Sequence, residues 1–207
     1  MSSKFVRASK YRHVFGSPNK PEKTYVSIKV SKSPSESNMC AVNSKFVAVV
    51  LEAQGGGAFL VLKEDNYGRV DLNHPKVCGH TGLVLDIQWN PFDENEIASC
   101  SEDATVKIWT IPDGGLVEDL KDPRLDLMGH EKKSTHVHWH PTASNILASS
   151  SADGTILIWN TTAGGEPLYR LTQQGVNPEL IYSFSWNYKV QTPVSYTHLT
   201  LPTICSV

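Results

Sequence analysis

Four histidines, His130, His136, His138 and His140, fall within eleven residues, a density at which imidazoles can gather a transition metal. His136 and His138 are two apart on a stretch that reads as a strand, so both share one face, and His140 continues it. In an upstream copy of the same pattern, however, these three are replaced by Asp86, Gln88 and Asn90, which carry no metal chemistry. No metal site is therefore assigned. Gly55-Gly56-Gly57 is glycine-rich, but no Lys-Ser/Thr and no helix follows, so a phosphate loop fails. Ser99, Ser101 and Ser149–Ser151 lack the strand-to-helix elbow of a nucleophile. The reading is of a protein that is not an enzyme and needs no cofactor. Cys40, Cys78, Cys100 and Cys205 make no C-x-x-C pair and are expected as small apolar residues in a reducing compartment.

Charge is the second feature with chemical content. The 207 residues carry a formal net charge of −2, which excludes a nucleic-acid binder held by bulk charge. The distribution is uneven. Residues 1–32 hold eight Lys/Arg and one acid, Glu22, while the remainder holds eleven basic and twenty acidic residues. The start thus carries +7 and the rest −9, an asymmetry suited to an anionic partner at the N-terminus. The opening MSSKFVRASK has no apolar run, and no window approaches the ~18 apolar residues of a membrane span.

The elements that position these residues repeat. Gly79–Trp109 aligns without gaps on Gly129–Trp159, and twelve of the 31 positions are identical. Chance gives about two. Each unit reads as short strands: Leu83–Trp89, Glu96–Ser101 and Thr105–Trp109 in the first, separated by Asn90-Pro91 and by the turn Glu102-Asp103-Ala104. The second unit has Ala152-Asp153-Gly154 at that turn. Nothing has helical period. Upstream, Phe46–Leu51 and Ala58–Leu62 flank a glycine-rich loop and form a degenerate blade, and Ile181–Asn187 begins a further unit with Trp186 in register with Trp89 and Trp139.

Short strands in units of this length, opened by Gly-His and closed by Trp, resemble the WD-repeat signature of an all-β propeller. The resemblance implies a buried hydrogen-bond chain in each blade: His80, Ser99 or Ser101, Asp103 and Trp109 in one, and His130, Ser149 or Ser151, Asp153 and Trp159 in the next. The Trp-Asp dipeptide itself has drifted to Trp109-Thr110 and Trp159-Asn160. The expected organisation is a basic segment, 1–32, packed on a partial propeller, 33–188. This comprises a degenerate blade (33–76), two repeats (77–126 and 127–170) and an incomplete blade (171–188), about three blades of seven. On such a truncated ring, Phe46, Val49, Phe184 and Trp186 are expected on exposed flat faces.

Ser2–Gly16 (SSKFVRASKYRHVFG), Ser37–Val42 (SNMCAV), Phe46–Leu62, Val77–His80 (VCGH) and Ile111–Leu116 (IPDGGL), in this order, closely resemble the opening of the coronin family. That resemblance implies a cytoplasmic regulator of the actin cytoskeleton. It would bind filamentous actin and, through the full-length protein, the actin-nucleating complex of actin-related proteins. The family's basic actin contact, usually Arg, falls on Lys29, which keeps the charge and loses bidentate geometry. Lys4, Arg7, Lys10 and Arg12 are further candidates. Phe5, Val6, Tyr11, Val14 and Phe15 are expected to pack the segment onto a blade. The alternative is a generic WD-repeat scaffold for another complex, for which the basic block Met1–Gly16 has no use. Pro193–Thr203 (PVSYTHLTLPT) continues no repeat and resembles a translated sequencing-library adapter. Residues 189–207 are therefore read as a non-native tail that adds no strand, the alternative being a divergent natural splice end.

Overall fold

The computed structural model describes residues 19–32, 37–52, 56–172, 181, 183–186 and, for backbone only, 193–196. A 3-10 turn at Pro21–Lys23 leads into β1 (Tyr25–Val26). The first four-stranded antiparallel sheet follows: β2 (Cys40–Val42), β3 (Phe46–Val50), β4 (Gly57–Lys63) and, after the two-residue β5 (Gly68–Arg69), β6 (Lys76–His80). β1 runs parallel to β5 at the rim of this blade. The second blade is β7 (Val84–Trp89), β8 (Glu96–Ser101), β9 (Thr105–Thr110) and β10 (Leu125–Met128). The third is β11 (Ser134–Trp139), β12 (Ile146–Ser151), β13 (Thr155–Asn160) and β14 (Pro167–Thr172). A fourth begins with β15 (Ser183–Trp186) paired to β16 (Pro193–Tyr196).

The cores lie between the blades. Phe46, Ala48, Val50, Phe59 and Val61 of the first meet Ile87, Trp89, Ile97 and Trp109 of the second. Ala98, Val106, Ile108 and Leu127 of the second meet Val137, Trp139, Leu147 and Leu157 of the third. A middle strand therefore has two buried faces, and its side chains must be small. β8 (EIASCS) is buried at every position. Where its residues are polar they must be hydrogen-bonded, because an unpaired buried hydroxyl costs about 1–3 kcal/mol.

The blade boundary does not coincide with the repeat boundary. Gly79-His80 opens the sequence unit but ends β6, the outermost strand of the preceding blade. The inner strands are stitched by one repeated contact. The Trp89 indole N–H donates to the Ala41 carbonyl (3.1 Å), that of Trp139 to Gln88 (3.1 Å) and that of Trp186 to His138 (3.2 Å).

Four expectations are corrected. Phe46, Val49, Phe184 and Trp186 are all buried, none more than 9% exposed. Phe46 points at the second blade and stacks on Trp89 at 5.6 Å, while Phe184 and Trp186 pack back against the third. The open flank lies elsewhere. Leu171, opposite Ile156, is 43% exposed and Tyr169 66%, whereas Leu127, opposite Val106 in the preceding blade, is fully covered. The stretch from Pro193 does add a strand: Pro193–Tyr196 pairs antiparallel with β15, whose open edge offers backbone N–H and C=O groups to any extended segment. Cys40 is exposed: along β2 exposure alternates, and Cys40 shares the outward face with Val42. His140 lies beyond the end of β11, where its Nδ1 accepts the N–H groups of Thr142 (3.1 Å) and Ala143 (2.9 Å), as Asn90 Oδ1 accepts that of Phe92 (2.9 Å).

Candidate functional site

The residues of the expected blade chain come together in both complete repeats. In the first, the Trp109 indole donates to Ser99 Oγ (2.8 Å), Ser99 contacts His80 Nε2 (2.8 Å), and His80 Nδ1 contacts Asp103 Oδ2 (2.9 Å). Thr105 Oγ1 donates to Asp103 Oδ1 (2.7 Å), and the Thr81 and Thr105 amides also donate to that carboxylate. Every donor is satisfied when Ser99 donates to Nε2 and His80 donates from Nδ1, so the polarity runs from indole to carboxylate. In the second, Trp159 and His130 meet on Ser149 (2.8 and 2.7 Å), and Thr155 Oγ1 donates to Asp153 (2.6 Å). His130 Nδ1 stands 3.5 Å from Asp153 and 3.2 Å from Thr155 Oγ1. Burial pushes the His130 pKa down to about 4, so the ring is neutral. Asp153 is also buried, but hydrogen bonds from Thr155 and Glu131 outweigh that burial and lower its pKa.

The structure distinguishes the two candidate serines. Ser99 and Ser149 carry the chains; Ser101 and Ser151 instead accept the amides of Asp103 and Asp153 and close the turns. The Gly of Gly-His has a role that sequence reasoning missed. A Cβ on Gly79 would lie 2.6 Å from the Trp109 ring and 2.3 Å from the Lys121 carbonyl oxygen, and one on Gly129 would lie 2.9 Å from the Trp159 ring. The pairing of an opening Gly with a closing Trp in both units was the available signal.

Asp86 was also missed. It is 3% exposed, and its carboxylate accepts the Ile87 amide (3.0 Å) and, across the blade boundary, the Val137 amide (3.1 Å). Burial raises its pKa to about 7, against the opposing pull of backbone donors from Val137, Ile87 and Asn38. Of the other histidines, His136 contacts Thr135 and Ser150, and His138 lies edge-on to Phe184 at 4.7 Å beside Gln88. Burial first, and His136 second, push the His138 pKa down to about 4. These rings face different neighbours, and the described residues contain no group of three that could hold a metal.

The basic segment is positioned by backbone. Ser27 adopts φ 70°, turning the chain between β1 and a short antiparallel bridge in which Val30 opposes Leu51. There the Lys29 carbonyl accepts the Glu52 amide (3.0 Å) and the Ser31 amide donates to Val50 (3.0 Å). The Tyr25 hydroxyl donates to the Lys63 carbonyl (2.6 Å). Lys29 is thereby fixed at the backbone with its side chain exposed, as are Lys20, Lys23 and Lys32. Lys4, Arg7, Lys10 and Arg12, with Phe5, Val6, Tyr11, Val14 and Phe15, lie outside the described residues. Beside Lys29 is a cleft of about 160 Å³ between segment and blade, floored by Ile28, Leu51, Leu60 and Val70.

Successive four-stranded antiparallel sheets, packed face to face and pinned by a Trp–Ser–His–Asp chain, define a WD-repeat β-propeller protein. The WD domain, G-beta repeat, matches residues 73–110 and 121–160, and residues 4–69 match a domain of unknown function, DUF1899. Coronin-2A of Homo sapiens and that of Bos taurus are each 53% identical over 127 residues, 61% of this chain. The WD40 domain of Toxoplasma gondii coronin superposes with a TM-score of 0.77 at 30% identity, covering 85% of this chain and 44% of that one. A chain of the mitotic checkpoint complex (TM-score 0.59, 20% identity, 78% of this chain and 44% of that one) shares the fold alone. The chain belongs to the coronin family. Its match spans 24% of the length of the Coronin-2A sequences. No helix among the described residues is long and apolar enough to cross a membrane.

Proposed function

We propose that this chain is the filament-binding part of a coronin-type actin regulator, a WD-repeat scaffold of the cytoplasmic actin cytoskeleton. The observation that carries the reading is the presentation of Lys29. In a coronin-family chain, the residue at the family's basic contact is exposed and held by backbone at the end of β3, within a segment of charge +7. A basic surface of this kind steers encounter with an acidic polymer such as the actin filament. Lys4, Arg7, Lys10 and Arg12 extend the patch. Engagement of the actin-nucleating complex of actin-related proteins belongs to the same reading of the whole protein.

The test is co-sedimentation with actin filaments. Lys29→Glu weakens binding, and raising salt from low to physiological weakens the wild type, because exposed charges are screened beyond ~8–10 Å. Undiminished binding by the Lys29→Glu chain removes Lys29 from the interface.

A further inference from the structure

The connection between β9 and β10 runs from Ile111 to Arg124, fourteen residues, whereas its counterpart in the third blade, between β13 and β14, has six. Both ends of the longer one are tied to its own blade: the Ile111 amide donates to the Asn95 carbonyl (2.7 Å) and the Arg124 amide to that of Ile108 (2.8 Å). Between these ends the chain crosses to the first blade and lies along its outermost strand. Leu120 opposes Val77 of β6 in a parallel bridge: its amide donates to the Lys76 carbonyl (3.0 Å) and its carbonyl accepts the Cys78 amide (2.9 Å). Asp119 Oδ1 accepts the Lys76 amide (3.1 Å), and Asp113 Oδ1 accepts Lys45 Nζ (3.1 Å). The Lys121 carbonyl oxygen passes so close to Gly79 that a Cβ there would lie 2.3 Å from it. Among the described residues neither β10 nor β14, the outermost strands of the other two blades, carries such a segment.

This strap is held more weakly than the strands it joins. Its apolar anchors, Leu116 and Leu120, are only half-buried, Val117 is 92% exposed, and the Lys45–Asp113 pair stands in solvent, where such pairs contribute little. Gly114 has open space about it and Gly115 adopts φ 82°, which makes a joint beside Pro112. A segment with few buried apolar contacts and exposed hydrogen bonds opens at a lower free energy than the core. Beside the strap is the half-buried Cys78; burial first and the Asp119 carboxylate second raise its thiol pKa, so in the closed arrangement it is a poor nucleophile. We propose that residues 113–121 are a latch, which lifts off the first blade as a unit while the blades stay folded and so uncovers the edge of β6 and the Cys78 thiol. An uncovered edge pairs with any extended segment, so the closed latch shields the first blade from edge-to-edge association.

Thiol labelling of the whole chain under native conditions, with each cysteine followed by mass spectrometry, is the test. Cys100, fully buried between the second and third blades, reports opening of the blades themselves. In the wild type Cys78 labels faster than Cys100, and low urea accelerates Cys100 far more than Cys78, because lifting a strap exposes little surface. Leu116→Ala, four residues from Leu120, speeds Cys78 about five- to tenfold and leaves Cys100 unchanged. Val117→Ser labels as the wild type does. A single urea dependence shared by Cys78 and Cys100 overturns the latch, because the blades then open instead. Wild-type labelling of Cys78 in a folded Leu116→Ala chain overturns it too, since the strap then does not move as one piece. So does a native Cys78 that labels at the rate of the urea-unfolded chain, because nothing then covers it. The wild-type urea series decides the matter whether or not Leu116→Ala folds.

Discussion

His80 and Asp103 belong to different blades: the ring ends β6 of the first, the carboxylate sits on the β8–β9 turn of the second, and they meet at 2.9 Å. The chain that orders one repeat therefore also ties it to its neighbour, so cutting it loosens an interface as well as a turn.

The second repeat offers the cleaner measurement. Asp153→Ala leaves the buried His130 and Thr155 donors without their acceptor and costs about 1–3 kcal/mol. Asp93→Ala loses one exposed turn bond, to the Asn95 amide, and stays within about 0.5 kcal/mol of wild type. Urea melts of the two variants check this. Equal midpoints would place Asp153 outside any buried network.

Gly79→Ala costs more than Gly129→Ala. The added methyl at Gly79 meets a backbone carbonyl oxygen at 2.3 Å, which cannot swing away, as well as the Trp109 ring. At Gly129 it meets only side chains, at 2.9 and 3.1 Å, which can give. Overpacking of this kind costs about 1–3 kcal/mol, with Gly79 at the upper end. Thermal melts that rank the two in the reverse order would contradict the assigned close approach.

The two hairpin turns place different residues at the left-handed position. Ala104 has φ 66° and Gly154, its counterpart, φ 78°. An L-residue there carries left-handed strain of about 1–2 kcal/mol, partly offset by the larger unfolded-state entropy of glycine. Ala104→Gly accordingly stabilises by about 0.5–1 kcal/mol, and Gly154→Ala destabilises by a similar amount. A stabilising Gly154→Ala would show that the second turn is not left-handed.

Stability rises from about pH 4 and levels off near pH 7. Asp86, raised from 3.8 to about 7, stabilises fully below its unfolded pKa, and that contribution is lost as pH rises through 7. His130 and His138, lowered from 6.5 to about 4, stabilise above 6.5 and lose that contribution as pH falls toward 4. Between 4 and 6.5 the unfolded chain binds two extra protons on these histidines and the folded chain one on Asp86, so stability rises with pH. At 6.5 the two unfolded histidines are still half protonated, so their remaining gain and the loss from Asp86 nearly cancel, and stability levels off near pH 7. Asp86→Asn removes the opposing contribution and steepens the rise between pH 4 and 7. Urea midpoints from pH 5 to 8 read this directly, and a variant with the wild-type profile would remove Asp86 from the account.

The 50-residue offset between Gly79 and Gly129, the strands they open and the Trp89, Trp139, Trp186 register were legible in the chain, because strand alternation and turn chemistry depend on near neighbours. So was the membership of His80, Asp103 and Trp109 in one network, through a family pattern. The choice of Ser99 over Ser101 was not. Both lie on the same face of β8, and only the packed position of the Trp109 ring separates them. Nor was the burial of Asp86, whose partner Val137 is 51 residues away in another sheet. The cleft beside Lys29 is assembled from Ile28, Leu51, Leu60 and Val70 on different elements. Pattern along a chain is local, whereas a site made by strands meeting across a blade boundary exists only once their register is set.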